Sequence, residues 1–373
     1  MKTNDAVQAA VSVLDASRTG DDSADLIVAK CRALIAGYDR LYHNAGYIPT
    51  AVERTVTADL LNPDTERTSR TFQTAGKLDV EAMYATRKIL FDHKTTSQDI
   101  ADPAGPYWRQ LAIEGQVSHY MLLAWQNGEK YDGAVWDVMR KPTISPKKIT
   151  KAEVRSVVSS QIYFGRQVSL ESIQAVSLDD RETLEMYESR LIHDCTTERP
   201  GYYFQRRAVP RMNSEILEYA RELWEHGQEI LHARNTGRHA RNSGACLLYN
   251  SPCKFLGICS GHDSPDSDKW ARKAKVHREL PTLDGDGRDV LTNSRIRCFQ
   301  TCRRKHYYEY ELGIERIDEE EKEALFFGHL WHLALEAWFT YFLPKETVNG
   351  NCNESTGSEL ANYSTADQTS VTG

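Results

Sequence analysis

Two aspartates and a lysine stand close together in the stretch GKLDVEAMYATRKILFDHKTT, residues 76–96. Asp79 lies near the end of one β-rich run, and Asp92 and Lys94 lie at the end of the next. Twelve residues separate the two acids, room for a strand end, a turn and a returning strand. On adjacent antiparallel strands such positions can face each other. Asp92 and Lys94, two residues apart, share one face of an extended strand. The spacing predicts two carboxylates and one ammonium converging at a sheet edge. Paired carboxylates suit a hard divalent cation such as Mg²⁺, and a neighbouring lysine suits a phosphate or a water nucleophile. A D-x-K triplet alone is most often a solvated strand edge, so its company has to decide.

The flanking elements read as an α/β framework. Residues 1–20 are polar and weakly helical, which predicts a loose N-terminal segment. Apolar residues recur at helical spacing over 22–42, from Leu26 and Ile27 to Leu41. IPTAVERTVTADLL, residues 48–61, reads as a strand that carries Glu53, and NPDTERTSR links it to the strand of Asp79. After a Pro/Gly break, residues 108–128 read as one helix with Gln116 and Tyr120 four apart on the same face. GAVWDVMRKP reads as a further strand. Strand–strand–strand–helix–strand is the plan of a mixed α/β core. Lys147, Lys148, Lys151 and Arg155 read as a solvated charged face. Residues 179–195 read as helix and YYFQRRAVPR, residues 202–211, as a strand. A long helix is expected from Asn213 to about residue 233, capped by Asn213 or Ser214.

The chain of 373 residues is long enough for one large or two ordinary domains, and 40% hydrophobic content is adequate for a core. No apolar run reaches 18 residues and no signal-peptide pattern opens the sequence, which predicts a soluble, cytoplasmic protein with no membrane partner. A net charge of −7 argues against a general coating of nucleic-acid affinity. Nucleic-acid contact would fall to local basic patches, Arg303, Arg304 and Lys305 in one place and Arg140, Lys141, Lys147 and Lys148 in another.

Eight cysteines in such a chain point to metal ligation or chance burial more than to disulfides. Cys246, Cys253 and Cys259 fall within fourteen residues of a Pro/Gly-bearing stretch, the spacing of a ligand cluster. Three thiolates need a fourth ligand, whether for Zn²⁺ or for an iron–sulfur cluster. Residues 262–290 have little periodicity and read as a linker. Beyond them Ser294 can cap a helix bearing Cys298 and Cys302, and EALFFGHLWHLALEAWFTYF forms a strongly apolar helix with His332 and Glu336 one turn apart. The final thirty residues are rich in Asn, Ser, Thr and Glu and predict a disordered tail.

Together these pieces resemble a known family. GKLD, then FDHKTTS, then GQVSHY resemble motifs II, III and Q-x-x-x-Y of the PD-(D/E)XK nuclease superfamily, and FGHLWHLALE resembles its G-x-x-x-H-x-x-L-E motif. CRRKHYYEYELGIE with the three cysteines resembles the RecB/AddB-like branch that carries an iron–sulfur cluster, a branch that includes phage proteins. The resemblance spans residues 22–260 and 290–342. It implies a restriction-endonuclease-like core, a mixed central sheet flanked by helices and closed by an iron–sulfur clasp. It implies that Asp79, Asp92, Glu53 and His332 serve a Mg²⁺ or Mn²⁺ ion, with His93 contributing its backbone carbonyl. Lys94 would position the attacking water, Gln116 and Tyr120 would support DNA and the site geometry, and Cys302, Cys246, Cys253 and Cys259 would hold a four-iron–four-sulfur cluster. Cys298 competes with Cys302 for that last place.

Two departures from the family pattern stand out. The segment with the late cysteine and the histidine precedes the catalytic strands in the family, whereas here it follows the cysteine triplet. Circular permutation accounts for the order, because each motif occurs once and chain ends commonly lie near each other at a surface. The expected organisation is a flexible segment over 1–21, the nuclease core over 22–261, a linker over 262–289, the completing segment over 290–342 and a tail over 343–373. The second departure is C-x6-C-x5-C in place of a tighter first spacing. The implied activity is phosphodiester hydrolysis by an exonuclease acting on single-stranded DNA or duplex ends. The setting would be recombination, repair or phage DNA processing in a bacterial cytoplasm, beside a helicase or recombination partner. The alternatives are a DNA-binding iron–sulfur module without cleavage and a Zn²⁺-stabilised interaction protein.

Overall fold

A computed structural model describes residues 2–248, 251–278, 280, 287–317 and 322–344. Strands β1 (Tyr47–Leu61) and β2 (Thr68–Tyr84) form a long antiparallel pair, and β3 (Arg87–Thr96) returns along β2. Strand β4 (Gly133–Arg140) joins β3 in parallel, and β5 (Phe204–Val209) closes the row antiparallel to β4. The short strand β6 (Asp289–Leu291) pairs in parallel with Phe72–Thr74 of β2, on the side away from β1.

The strands β6 and β3 therefore share one flank of β2 without meeting. β3 takes up pairing only from Val80 onward, and residues 75–79 of β2 lie in the fork between the two. The carbonyl of Ala75 in that fork accepts a hydrogen bond from buried His119 at 3.0 Å, so the backbone there is still satisfied. Asp79 is the last residue of the fork. The acids are thus set in the interior of the sheet and not at its edge, as the triplet alone had suggested.

Helices cover both faces. Helices α1 (Lys2–Ala16), α2 (Asp22–Tyr42) and α10 (Glu323–Tyr341) pack on Val80, Ala82, Phe91, Val135 and Met139. Helices α4 (Gly115–Gln126), α8 (Asn213–Thr236) and α9 (Asn293–Thr301) pack on Leu78, Leu90, Trp136 and Val138. In α10, Phe327, Leu330, Trp331, Ala334, Leu335 and Trp338 recur at helical spacing and are buried. Each large one contributes about 1.5–3 kcal/mol by leaving water.

Several expectations need correction. The N-terminal segment, expected to be loose, is α1, which buries Ala6, Ala10 and Leu14 against its neighbours. Its apolar stripe consists mainly of alanines and is faint in the sequence. The helix expected over 108–128 is two, α3 (Pro106–Ala112) and α4. Arg211 donates to the carbonyls of Ala112 and Glu114 at 2.9 and 3.1 Å, which satisfies the groups freed at the break. α8 starts after Met212, whose amide donates to the Glu215 carboxylate at 2.7 Å, so neither Asn213 nor Ser214 caps it. α9 is capped by Thr292, not Ser294. The linker over 262–289 contains a strand, Trp270–Arg272, that pairs with Ile314–Arg316.

Helices α5 (Lys151–Ser160), α6 (Leu170–Leu178) and α7 (Leu184–His193) border a small separate core around Val157, Tyr163 and Met186. Lys147, Lys148, Lys151 and Arg155 are exposed there. Residues Met1–Leu343 make up one compact unit, so 289–341 and 22–261 belong to the same body. Most of the tail expected to be disordered, from residue 345 onward, lies outside the described residues.

Candidate metal centre

The site is built where β1 and β2 both change face. Leu78 packs in the core under α4, while Val80, two residues on, packs in the core under α10. In a regular strand residues two apart share a face, so β2 must rotate at Asp79. Its partner does the same. Val52 pairs with Val80 and Arg54 with Leu78, and between them Glu53 has a φ of 53°, a left-handed conformation that a glutamate rarely adopts. The rotation places Glu53 and Asp79 where helices of both layers can reach them.

From one layer α10 brings His332. Among the described residues, Glu53, Asp79 and His332 form a group in which one carboxylate oxygen or ring nitrogen from each lies within 4.8 Å of the others. Burial holds the His332 imidazole below its ordinary pKa, partly offset by Asp79, which favours the neutral form that can ligate. Burial raises the Glu53 carboxyl, and the nearby charge of Asp79 raises it further. Two carboxylates and a neutral imidazole at this separation fit a divalent cation.

From the other layer α4 brings Gln116 and Tyr120. Lys94 Nζ lies 2.5 Å from Asp92 Oδ2 and donates to Gln116 Oε1 at 2.6 Å, and Gln116 Nε2 donates to Tyr120 Oη at 2.8 Å. Asp92 is fully buried, and apart from the ammonium neither oxygen has a hydrogen-bond donor among the described residues. Burial pushes its carboxyl up to about 6, Lys94 pulls it down, and Asp79 adds to the rise. The close triad includes Glu53 and not Asp92, whose carboxylate is turned toward the lysine.

His93 points the other way, to the α10 face. Its Nδ1 lies 3.1 Å from Asp137, and its amide donates to Asp79 Oδ2 at 2.7 Å. Burial alone would lower its pKa, but Asp137 outweighs that and holds it above the ordinary value. Asp137 is itself held by Arg206 and Tyr38. The backbone amide of His93 thus fixes the orientation of Asp79.

Two residues near the centre went unassigned in the sequence. Lys77 pairs with Glu53, and its place two residues before Asp79 on β2 could have announced it. Glu336 lies near enough to Glu53 to raise its carboxyl, and it stands one helical turn after His332.

The cysteines gather elsewhere. Cys246, Cys253, Cys259 and Cys302 line one small cavity with Phe255, Leu256 and Lys305, and all are free thiols. Cys298 lies outside that lining, with burial pushing its thiol up to about 12. Asn242 Nδ2 donates to Thr301 O at 2.9 Å and Arg304 Nε to His239 O at 2.8 Å, which ties the two cysteine-bearing segments together. No three of these thiols fall within 4.8 Å of one another. Around one tetrahedral Zn²⁺, sulfurs at ~2.3 Å from the ion would be about 3.8 Å apart, closer than any three of these thiols stand.

The basic patches are partly engaged in the fold. Arg303 pairs with Glu229, Arg140 pairs with Asp99, and Lys141 donates to Ala324 O.

Residues 290–369 match the family model of the PD-(D/E)XK nuclease superfamily. The match includes α9 and α10 and supports that superfamily, whose members are nucleases that use divalent metals. The mixed, mostly antiparallel sheet with helices on both faces fits its restriction-endonuclease-like core. No curated protein and no solved structure matches the chain. No helix among the described residues is long and apolar enough to cross a membrane.

Proposed function

We propose that this protein is a Mg²⁺- or Mn²⁺-dependent deoxyribonuclease that acts as an exonuclease on single-stranded DNA or duplex ends, in recombination, repair or phage DNA processing. The observation that carries the reading is the convergence of Glu53, Asp79 and His332 beside the Asp92–Lys94 pair. Glu53, Asp79 and His332 would hold the divalent ion, which supplies Lewis acidity toward water and the scissile phosphate. Asp92 and Gln116 hold the Lys94 ammonium in one orientation. From there it can position water and neutralise charge that develops on phosphate oxygens. Tyr120 fixes Gln116, and the His93 amide fixes Asp79. The DNA target follows from the superfamily. The rotated motif order is read as circular permutation, supported by β6 and α10 joining the same sheet and cores as residues 47–209.

The four thiols of the second cavity would hold a four-iron–four-sulfur cluster of structural purpose, closing the segment near Cys246 onto Cys302. A helicase or recombination partner is the natural company for such an exonuclease.

The test is degradation of end-labelled DNA with Mg²⁺, Mn²⁺ or chelator, by wild type and by Lys94→Ala. Metal-dependent cleavage that drops ~10²–10³-fold in the variant supports the site. Equal cleavage by the two proteins rejects it, and DNA binding without cleavage by wild type supports the inactive-module reading. A colourless protein after anaerobic iron and sulfide reconstitution rejects the cluster.

A further inference from the structure

The fork in the sheet opens into a cavity of about 230 Å³ that is lined by Asp79, Gln116, Lys77, Asn293, Ser294 and Arg297. Two of these belong to the proposed nuclease centre. Of the other four, Lys77 pairs with Glu53 of that centre while Asn293, Ser294 and Arg297 have no part in it, and all four can donate hydrogen bonds. Lys77 and Arg297 carry positive charge. Arg297 is 54% exposed and spends one guanidinium nitrogen on Glu114 at 3.2 Å, an ion pair that sets its direction and leaves its other N–H groups available. The side chains of Asn293 and Ser294 make no hydrogen bond to any described residue. The amides of these two residues open α9 and have no partner within the helix.

The cavity is smaller than a pocket for a drug-sized ligand, ~300–1,000 Å³, and its unclaimed groups are donors and cations. It suits one compact, multiply accepting anion. It also shares the Asp79 wall with the metal triad, so whatever enters it lies beside whatever Asp79 holds. We infer that this cavity seats the DNA backbone phosphate adjacent to the scissile one, held by Arg297, Asn293 and Ser294 with Lys77 alongside. The inference rests on the nuclease reading and adds the subsite that sets the strand's register over the metal. Such contacts position the backbone without reading sequence.

The test is fluorescence anisotropy with a labelled single-stranded oligonucleotide, in Ca²⁺ so that affinity is read without turnover, across a salt series. Arg297→Gln is expected to weaken binding about tenfold and to flatten the slope of log affinity against log salt by ~0.7. Its fold is checked by circular dichroism. Oligonucleotides carrying one uncharged methylphosphonate are then scanned along the strand. Wild type should lose affinity at the linkage next to the cleaved bond, and Arg297→Gln should no longer sense that linkage. Ser294→Ala should show a smaller loss at the same place. If wild type cleaves DNA while Arg297→Gln keeps the full salt slope, or still senses the neutral linkage, the subsite is overturned and the nuclease reading stands. If wild type neither binds nor cleaves DNA, the nuclease reading fails and the subsite falls with it.

Discussion

Gly76→Ala is the most informative single substitution outside the charged residues. Gly76 lies in β2, three residues before Asp79, directly under α4. A Cβ there would stand 2.8 Å from Tyr120 Cε1, 3.0 Å from Tyr120 Cδ1 and 3.0 Å from Leu123 Cδ1. Carbon atoms rest at about 3.5–4.0 Å, so the ring must retreat by about 0.7–1.2 Å. The strand cannot yield instead, because Gly76 pairs with Val56 along β1. Overpacking of this kind costs about 1–3 kcal/mol. The displaced Tyr120 carries Gln116 and through it Lys94, and a shift of ~1 Å in a positioning group can lower turnover about 10²-fold. Thermal unfolding and metal-dependent DNA cleavage are measured together. Both should fall, with turnover falling more than affinity for DNA. Gly133→Ala in β4 is the control, since its Cβ would meet only Ile89 Cδ1 at 3.8 Å, an ordinary contact. A Gly76→Ala protein that melts and cleaves like wild type would refute the claim that α4 rides in contact with this strand.

Stability should also fall in mild acid. His119 is fully buried between Ala75 O and Tyr219 Oη, and burial lowers its pKa to about 4 against ~6.5 unfolded. A depressed histidine leaves stability intact above the unfolded pKa and loses it as pH falls from 6.5 toward 4, so urea unfolding at pH 5 should show about 2 kcal/mol less stability from this group. His119→Gln should flatten that slope. Arg295 is fully buried and shares Asp289 and Glu311 with Arg234, so Arg295→Met removes one of the two cations on each carboxylate and should cost ~1.5–3 kcal/mol in urea unfolding. Lys77→Met removes the ammonium that competes for Glu53, and Mn²⁺ titration followed by calorimetry should show tighter binding; unchanged or weaker binding would place the ion away from Glu53.

The strands of Asp79 and Asp92 were legible because their alternation and the intervening turn are local signals. Gln116 and Tyr120, and the helix of His332, were legible from helical spacing. What escaped notice depended on distant parts of the chain. Three residues, Asp289–Leu291, complete the fork beside β2 from more than 200 positions away, and nothing in their composition announces it. The rotation at Glu53 requires a backbone conformation that its residue type disfavours, so no propensity argument could find it. Helix α1 is faint in the sequence because alanines bury little surface and signal weakly. The break between α3 and α4 is decided by Arg211, a side chain from beyond β5.

The distance along the chain between the acids and His332 has a temporal consequence. A ribosome releases the polypeptide from its N-terminal side, so the strands of Asp79 and Asp92 emerge well before α10. α10 must then settle against α1, α2 and the sheet before the imidazole reaches Glu53 and Asp79. A nascent copy therefore lacks one member of the Glu53–Asp79–His332 group until residue 332 has been made. Nucleic acids near the site of synthesis would meet an incomplete site.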